Sequence, residues 1–221
     1  MNGQVLVCFA MPEEAGVFKK WARGQSSVQV LLTGMGVVNA ERAVRRALAS
    51  IRPKAVLSCG FAGGLRPGLV RGTVVFEAVG LTALEQSLQL VGAQPARFHC
   101  ASRIALKAAE KRALWESTGA DAVEMESRAI CEVCREQAIA CGIVRVISDT
   151  AEEDLPLDFN QLMTPSHDMD FRKLAKSILK SPRSIGGLLR LQRECKAAAR
   201  RLAAVLEAVL AQRPGSFLSG S

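Results

Sequence analysis

The sequence has no tyrosine, only two tryptophans and two histidines among 221 residues, and an aromatic content of 5%. It also lacks an apolar run of the roughly 18 residues that a membrane-spanning helix requires. No basic stretch precedes the first apolar residues, and Pro12, Glu13 and Glu14 follow them directly, which is not typical of a signal peptide. We therefore expect one globular domain over residues 1–213 and a flexible tail over 214–221.

Cysteine is present but irregularly spaced. The seven cysteines form an odd set, and Cys131 and Cys134 are the one close pair, with no second pair to complete a zinc site. The two histidines, His99 and His167, are isolated from each other. We therefore predict no disulfide framework, no metal site and no cofactor, and a cytoplasmic location, where thiols stay reduced.

Positive charge is concentrated near the end of the chain. Residues 172–201 hold ten basic side chains and one acidic one, so this segment carries +9 of a chain total of +8 and the remainder carries −1. Within residues 185–211, apolar side chains recur at helical spacing from Leu188 to Val209. We expect a basic helical extension over 171–213.

The sequence leaves three positions open for that extension. The first is docking on the core of its own chain, the second is a peripheral contact with the anionic inner surface of a membrane, and the third is an interface between two copies of the chain. Nucleic acid is not an expected partner, because the basic segment has a single aromatic residue, Phe171, on which a base can stack.

Apolar runs and helical patterns alternate along the chain. Strands are predicted over residues 5–10, 28–32, 55–59, 74–76 and 142–147, the first and the last of them buried, and a short strand or turn at 122–123. Helices are predicted over 39–51, 103–117, 125–140, 171–180 and 185–211. Residues 60–65 are expected to form a glycine-rich loop after the third strand. This alternation predicts an α/β fold with a parallel or mixed central sheet.

Polar and glycine-rich segments follow the predicted strands. They are residues 13–14, 34–36, 60–64 and 148–149, and residues 124–126 open a helix. Because ligands bind beyond the carboxyl ends of strands in such sheets, we expect these segments to converge on one crevice.

Two carboxylates in these segments are candidates for acid–base chemistry. Glu14 is a general base if burial raises its pKa, or a favourable charge in the first turn of a helix. Asp149 is either a proton donor or the N-cap of the next segment. Arg145 precedes Asp149 on the same strand and is either an ion-pair partner for a carboxylate or a solvated side chain.

Residues 124–126 and the glycines are candidates for ligand binding. Glu124 and Glu126 are placed to accept hydrogen bonds from adjacent sugar hydroxyls while Met125 packs on the apolar face of the sugar, or they simply complement the helix dipole. Gly36 and Gly60 allow backbone N–H groups to approach a ligand closely, or they only form turns.

Five stretches of the sequence appear in an order that resembles a known family. They are residues 9–15, 33–40, 58–65, 122–127 and 144–151, the last two reading AVEMES and VRVISDTA. Together they resemble the superfamily of nucleoside phosphorylases and nucleosidases, which includes 5′-methylthioadenosine/S-adenosylhomocysteine nucleosidase. The resemblance implies a three-layer α/β/α fold with a mixed central sheet, and cleavage of the N-glycosidic bond of a purine nucleoside.

The resemblance also implies roles for individual residues. Asp149, with Ser148 beside it, matches the proton donor to the purine N7. Met125 and Glu126 match the ribose-binding positions, and Glu14 matches the carboxylate that activates water in the nucleosidase branch. A homo-oligomer, with a dimer favoured, is the implied assembly.

Two departures leave the substrate and nucleophile open. Phe61 follows Gly60 where the nucleosidases carry a small hydroxyl residue, and no arginine stands ahead of Ser58 to hold phosphate, so water is favoured as the nucleophile. The short middle segment and basic extension resemble the hopanoid-associated phosphorylase-like branch, which implies removal of adenine from adenosylhopane. Phosphorolysis and a non-catalytic nucleoside-binding domain remain the alternatives to hydrolysis.

Overall fold

The structure, a computed structural model, describes residues 4–162, 164 and 184–211. The predicted helix over 171–180, His167, Phe171 and the tail over 214–221 lie outside these residues. Among the described helices, none combines the length and the apolar content that crossing a bilayer needs.

One sheet organises the described part of the chain. Its strands are β1 (Val5–Phe9), β2 (Val28–Leu32), β3 (Ala55–Gly64), β4 (Val74–Glu77), β5 (Gln94–Pro95), β6 (Phe98–Cys100), β7 (Ala122–Glu124) and β8 (Ala140–Asp149). The order is β2-β1-β3-β8-β4-β5, with β7 pairing with both β3 and β6. The pairings β3–β7 and β4–β8 are antiparallel and the others are parallel, which makes the sheet mixed.

Helices connect the strands and follow them. They are α1 (Pro12–Ala22), α2 (Val37–Leu48), α3 (Thr82–Leu90), α4 (Ala108–Thr118), α5 (Ser127–Glu136), α6 (Phe159–Leu162) and α7 (Ser184–Leu210). Pro12 begins α1, where a missing N–H leaves no helical hydrogen bond unmade. Gly119 ends α4 in the left-handed conformation, with φ of 63°.

Helices cover the sheet on both faces. Successive side chains of a strand point to opposite faces, so one strand contributes to the packing on each side. Val5, Val7 and Phe9 of β1 pack in one cluster with buried residues of α1, α3 and α7. Leu6 and Cys8 pack in a second cluster with buried residues of α2 and α5. These two clusters give three layers, and the predicted α/β/α fold with a mixed central sheet is confirmed.

The C-terminal helix α7 is docked on the core over its second half. Leu202, Leu206 and Val209 are buried beside α1, α3 and the sheet, whereas Leu189 in the first half is exposed. The sequence left three positions open for this helix, and residues 198–210 take the first of them, docking on the core of the chain. That apolar stretch is therefore not available to a bilayer.

Three predicted boundaries are corrected by backbone pairing. Residues 60–64 are not a loop but the end of β3, because they continue to pair with β8 and then β7. The helix predicted over 103–117 begins at Ala108, because Glu110 accepts hydrogen bonds from the N–H groups of Leu106 and Lys107. The helix predicted over 125–140 ends at Glu136, and β8 begins at Ala140.

One disulfide also departs from the sequence prediction. Cys131 of α5 and Cys141 of β8 are joined, with Cα atoms 5.5 Å apart. The prediction missed this pair because the turn between α5 and β8 brings together two cysteines whose spacing has no recognisable pattern.

Candidate active site

Glu14 is buried in the first turn of α1, where two backbone N–H groups hold its carboxylate. Met11 N donates to Oε2 at 3.0 Å, and Phe61 N donates to Oε1 at 2.8 Å. Burial raises the pKa of Glu14 to about 7, although the positive charge of Arg145 and the two hydrogen bonds oppose that rise. Glu14 therefore changes its protonation state near neutral pH and does not simply decorate a helix terminus.

Gly60 makes the approach of Glu14 to β3 possible. Its φ is +151°, and a Cβ atom added there would lie 2.6 Å from both Glu14 Oε1 and Arg145 Nη1. A side chain at this position would push apart the two charged groups. Gly60, for which the sequence left a ligand cradle and a structural turn open, thus provides the space that lets Glu14 and Arg145 approach β3. The ring of Phe61 next to it packs against the main core cluster, and its N–H faces Glu14.

Arg145 forms a buried ion pair with Glu124. Its Nη2 donates to Glu124 Oε2 at 2.5 Å and lies 3.4 Å from Glu126 Oε2. Of the alternatives for Arg145, the ion pair is the one observed. Because the neighbouring carboxylates favour its charged form despite burial, the pKa of Arg145 is raised.

The oxygens of Glu124 are used inside the protein. Oε2 also accepts hydrogen bonds from the N–H groups of Glu126 and Ser127, at 2.9 and 2.7 Å, and Oε1 accepts one from Ser127 Oγ at 2.5 Å. Burial alone raises the pKa of Glu124, but Arg145 and these hydrogen bonds outweigh it and the net shift is downward. Glu124 thus contacts Arg145 and the start of α5, and its predicted role in substrate binding remains a prediction.

Glu126 lies beside this pair, with fewer internal contacts. Gly36 N donates to Oε1 at 2.9 Å, and Arg145 is more distant than it is from Glu124. Burial raises the pKa of Glu126, and Arg145 opposes the rise. Met125 is next to it in the chain and is also buried. The predicted segments 34–36 and 124–126 are thus in direct contact.

Asp149 is the last residue of β8 and lies opposite Gly63 of β3. Its Oδ1 accepts a hydrogen bond from Ser148 Oγ at 2.6 Å, and its Oδ2 lies 2.5 Å from Lys111 Nζ. A Cβ atom added at Gly63 would come within 3.2 Å of Oδ2. Asp149 therefore continues a strand and contacts β3, instead of capping a following helix.

Glu14 and Asp149 are brought to one stretch of β3. Glu14 contacts the position of Gly60 and Asp149 that of Gly63, and these are three residues apart, which corresponds to roughly 10 Å along a strand. Burial is the largest cause of the raised pKa of Cys195 of α7, which is about 11. The charges of Asp149 and Glu14 also raise the pKa of its thiol, so Cys195 lies near both carboxylates. The predicted segments therefore converge on one region beside the ends of β3 and β8.

Lys111 is the charged residue of this region that sequence analysis missed. It is fully buried on α4, where a lysine in a polar helical pattern is ordinarily solvated. Lys111 lies three residues before Leu114, which is partly buried, so both side chains lie on the inner face of α4. This spacing is the sequence signal from which the burial of Lys111 could be predicted.

Neighbouring arginines are already paired with carboxylates. Arg71 contacts Glu153 and Glu194 at 2.6 Å each, and Arg66 lies 3.5 Å from Asp121. Within the described ranges, no three histidine, cysteine or acidic side chains are grouped to hold a metal ion.

A separate cavity of about 490 Å³ lies between α5 and residues of β4, β6 and β8. Its lining includes His99, Cys100, Arg128 and the Cys131–Cys141 disulfide, and it contains none of the predicted catalytic residues.

The sequence matches a known family over most of its length. The profile of the family described as the phosphorylase superfamily matches residues 12–77 and 82–180. The 5′-methylthioadenosine/S-adenosylhomocysteine nucleosidase of Anoxybacillus flavithermus is 27% identical over 173 residues, which cover 62% of this chain and 74% of that relative.

Solved structures share the fold. The crystal structure of a 5′-methylthioadenosine/S-adenosylhomocysteine nucleosidase from Colwellia psychrerythraea, in complex with adenine, matches with a TM-score of 0.72 and 17% identity over 99% of both chains. Futalosine hydrolase of Helicobacter pylori matches with a TM-score of 0.65 and 16% identity over 92% of this chain and 97% of that one.

Proposed function

This chain belongs to the phosphorylase superfamily, and from that premise we propose that it hydrolyses the N-glycosidic bond of an adenosine-type nucleoside and releases the base. The observation that carries the proposal is the placement of two buried carboxylates, Glu14 and Asp149, at two points along one strand.

Asp149 serves the leaving base in this proposal. Breaking a C–N glycosidic bond leaves negative charge on the purine, and a proton delivered to N7 neutralises it. Ser148 Oγ, which donates to Asp149 Oδ1, keeps the carboxyl group in a fixed orientation. Gly63 leaves room for the carboxyl group beside β3.

Glu14 activates the attacking water. A pKa of about 7 means that a large share of Glu14 is ionised at neutral pH and that the ionised group is basic enough to accept a proton. The N–H groups of Met11 and Phe61 fix both of its oxygens. Glu14 is therefore preorganised to take the proton of a water molecule that adds to C1′ of the sugar.

Glu126 and Met125 hold the sugar. Glu126 accepts hydrogen bonds from the ribose hydroxyls, and its negative charge stabilises the positive charge that develops on the ring. Gly36 N and Arg145 keep it in place. Met125 packs on the apolar face of the sugar.

Water is a better nucleophile than phosphate for this site. A phosphate ion needs a cationic clamp, and the nearby cations are engaged: Arg145 with Glu124, Arg71 with Glu153 and Glu194, and Lys111 with Asp149. The buried carboxylates Glu14 and Glu126 would also repel an anion. Hydrolysis is therefore favoured over phosphorolysis.

The names of the relatives suggest which nucleosides to test first. One relative is named for 5′-methylthioadenosine and S-adenosylhomocysteine, and one solved structure for futalosine. We propose an adenosine-type substrate with a 5′-substituent, and adenosylhopane remains a candidate among these.

The proposal is tested by incubating the purified protein with each nucleoside, with and without phosphate, and following release of the base by chromatography. We expect release without phosphate. Strict dependence on phosphate would replace hydrolysis with phosphorolysis. Ligand-induced thermal stabilisation without any base release would favour a nucleoside-binding domain.

Two finer expectations are also proposals. The first is a homodimer. The second is a peripheral contact with an anionic membrane through the exposed basic side chains of α7, which are Arg190, Arg193, Lys196, Arg200 and Arg201. Because most apolar side chains of residues 198–210 are in the core, such a contact would be electrostatic.

A further inference from the structure

Lys111 has an unusual environment for a lysine. Its side chain has no solvent exposure, and its ammonium group makes three contacts: with the carbonyl oxygens of Thr150 at 2.7 Å and Glu153 at 2.8 Å, and with Asp149 Oδ2 at 2.5 Å. A buried ammonium group is costly unless it is paired and hydrogen-bonded. Two hydrogen bonds and one ion pair surround the ammonium group, so the site is built for a charged lysine.

The third contact distinguishes Lys111 from a structural support. Two carbonyl oxygens would be enough to hold the segment after β8 against α4. The ammonium group also touches the carboxylate that the proposed function assigns to the proton donor, on the oxygen that Ser148 does not contact. An ammonium beside a carboxylate forms a pair that holds one transferable proton.

We propose that Lys111 is a positioning residue for the proton donor: it holds Asp149 in place and supplies the proton that Asp149 delivers to the leaving base. This inference rests on the proposed function. As the C1′–N9 bond breaks, its electron pair stays on the purine, Lys111 Nζ gives its proton to the Asp149 carboxylate, and Asp149 delivers that proton to N7. The water that adds to C1′ gives its proton to Glu14. After the products leave, Glu14 releases that proton to solvent and Lys111, left as a neutral amine, takes one from solvent, so the protons balance.

Other titratable groups surround the pair. They come from the segment before β4, from the segment after β8 and from α7: Arg71, Glu153, Asp154, Glu194 and Cys195.

The first test is the pH profile of kcat for Lys111→Met. Without the ammonium group, Asp149 has to take the proton for the base from solvent, where protons become scarcer as the pH rises. We expect the alkaline limb of kcat to move to lower pH by at least one unit, with at least a tenfold loss at pH 9. A loss of the same factor at every pH would overturn the proposal, because a structural support has no reason to act mainly at alkaline pH.

Glu153→Gln is the matched control. Glu153 accepts a hydrogen bond from Thr150 N and pairs with Arg71, so it supports the same segment without touching Asp149. We expect this variant to keep the shape of the parent's profile. An equal shift in Glu153→Gln would assign the effect of Lys111 to the segment and overturn the proposal.

A double-mutant cycle tests whether Lys111 acts through Asp149. In an Asp149→Asn background, we expect Lys111→Met to change kcat by less than twofold. A loss as large as in the parent background would contradict the proposal.

The pair itself is tested without the reaction, by Tm at pH 5 and pH 8. Lys111→Met leaves a buried carboxylate without its partner, and the penalty falls on the charged form, so the loss in Tm should be larger at pH 8. Adding Asp149→Asn should recover that pH-dependent part. Lys111→Gln serves if Lys111→Met does not fold. Failure of both variants to fold, with no rescue by Asp149→Asn, assigns Lys111 a purely structural role.

The proposed function and the role of Lys111 are refuted by different results. A parent protein that releases no base refutes the proposed function and, with it, the proton transfer from Lys111. A parent that releases base while Lys111→Met keeps a parallel pH profile refutes the role of Lys111 alone.

Discussion

Glu13 and Glu14 are adjacent glutamates whose environments differ. Glu13 is exposed, whereas Glu14 points inward to Phe61 N and Arg145 and has a pKa near neutrality. Because a general base contributes about 100-fold or more to a rate, Glu14→Gln should lower kcat/KM by at least that factor. Glu13→Gln, the matched control, should remain at the parent's level in the same assay of base release. Equal effects of the two changes would remove Glu14 from the mechanism.

The raised pKa of Glu14 also predicts how stability changes with pH. The folded state favours the neutral carboxyl, so this group's contribution is present below about pH 4.5, its ordinary pKa, and is lost as the pH rises through about 7. The parent should lose up to about 3 kcal/mol of unfolding free energy over that range from Glu14. Glu14→Gln lacks this loss. Urea unfolding at pH 5 and pH 8 measures it, and a difference between variant and parent that stays constant with pH would disprove the burial argument.

Gly60 is predicted to matter more for activity than for stability. The atoms that a Cβ would meet are the ends of the Glu14 and Arg145 side chains, which can move aside, but the general base and the neighbouring guanidinium group would then be displaced. Gly60→Ala should cost about 1–3 kcal/mol through its backbone conformation and lower kcat/KM at least tenfold.

Gly16→Ala on α1 is the control for Gly60→Ala, because nothing lies within 4 Å of the added carbon. It should leave base release unchanged in kinetic assays. A fully active Gly60→Ala would show that the close approach of Glu14 to β3 is not required.

Much of the site was predictable because its residues follow strand ends, where polar groups in α/β sheets converge. The contacts of Gly36 with Glu126 and of Phe61 with Glu14 bring together segments that the sequence places far apart. Sequence analysis did not distinguish Glu124 from Glu126, because their difference arises from which one Arg145 approaches. It missed Lys111, since the burial of a charged side chain depends on partners outside its own helix.

At the scale of elements, α7 is predicted to stabilise the fold through its second half. Leu202 has no exposed surface, so Leu202→Ala should cost about 2–5 kcal/mol. Leu189 on the same helix is 55% exposed, and Leu189→Ala should change stability by less than about 0.5 kcal/mol. Chemical denaturation measures both. A small effect at Leu202 would contradict the docking of α7 on the core.

Short strands were the most predictable elements. The strands predicted at 28–32 and 74–76 are present, and of the two alternatives at 122–123 the strand is the one observed, because short apolar runs bounded by turn residues suit strands of a sheet. The extension of β3 through Gly64 was not predicted, because glycines favour turns locally and only the pairing with β8 and β7 makes them a strand. The disulfide between α5 and β8 likewise depends on tertiary structure.

At the scale of the whole molecule, the exposed positive charge of α7 is separate from the negatively charged site. The basic side chains of α7 face solvent, whereas the site is lined by buried carboxylates. We expect the protein to sediment with anionic vesicles at low salt and to be released by raised salt, because screening weakens surface attraction. Co-sedimentation with anionic and neutral vesicles measures this. Equal pelleting with both, or none with either, would exclude the membrane contact.

The nucleophile is the central claim, and the oxygen of the sugar product tests it most directly. The reaction is run in ¹⁸O-labelled water with phosphate present, and the sugar is analysed by mass spectrometry. The account predicts free sugar with one ¹⁸O atom at C1′, and loss of that product in Glu14→Gln. A sugar 1-phosphate without the label, or no cleaved sugar at all, would contradict it.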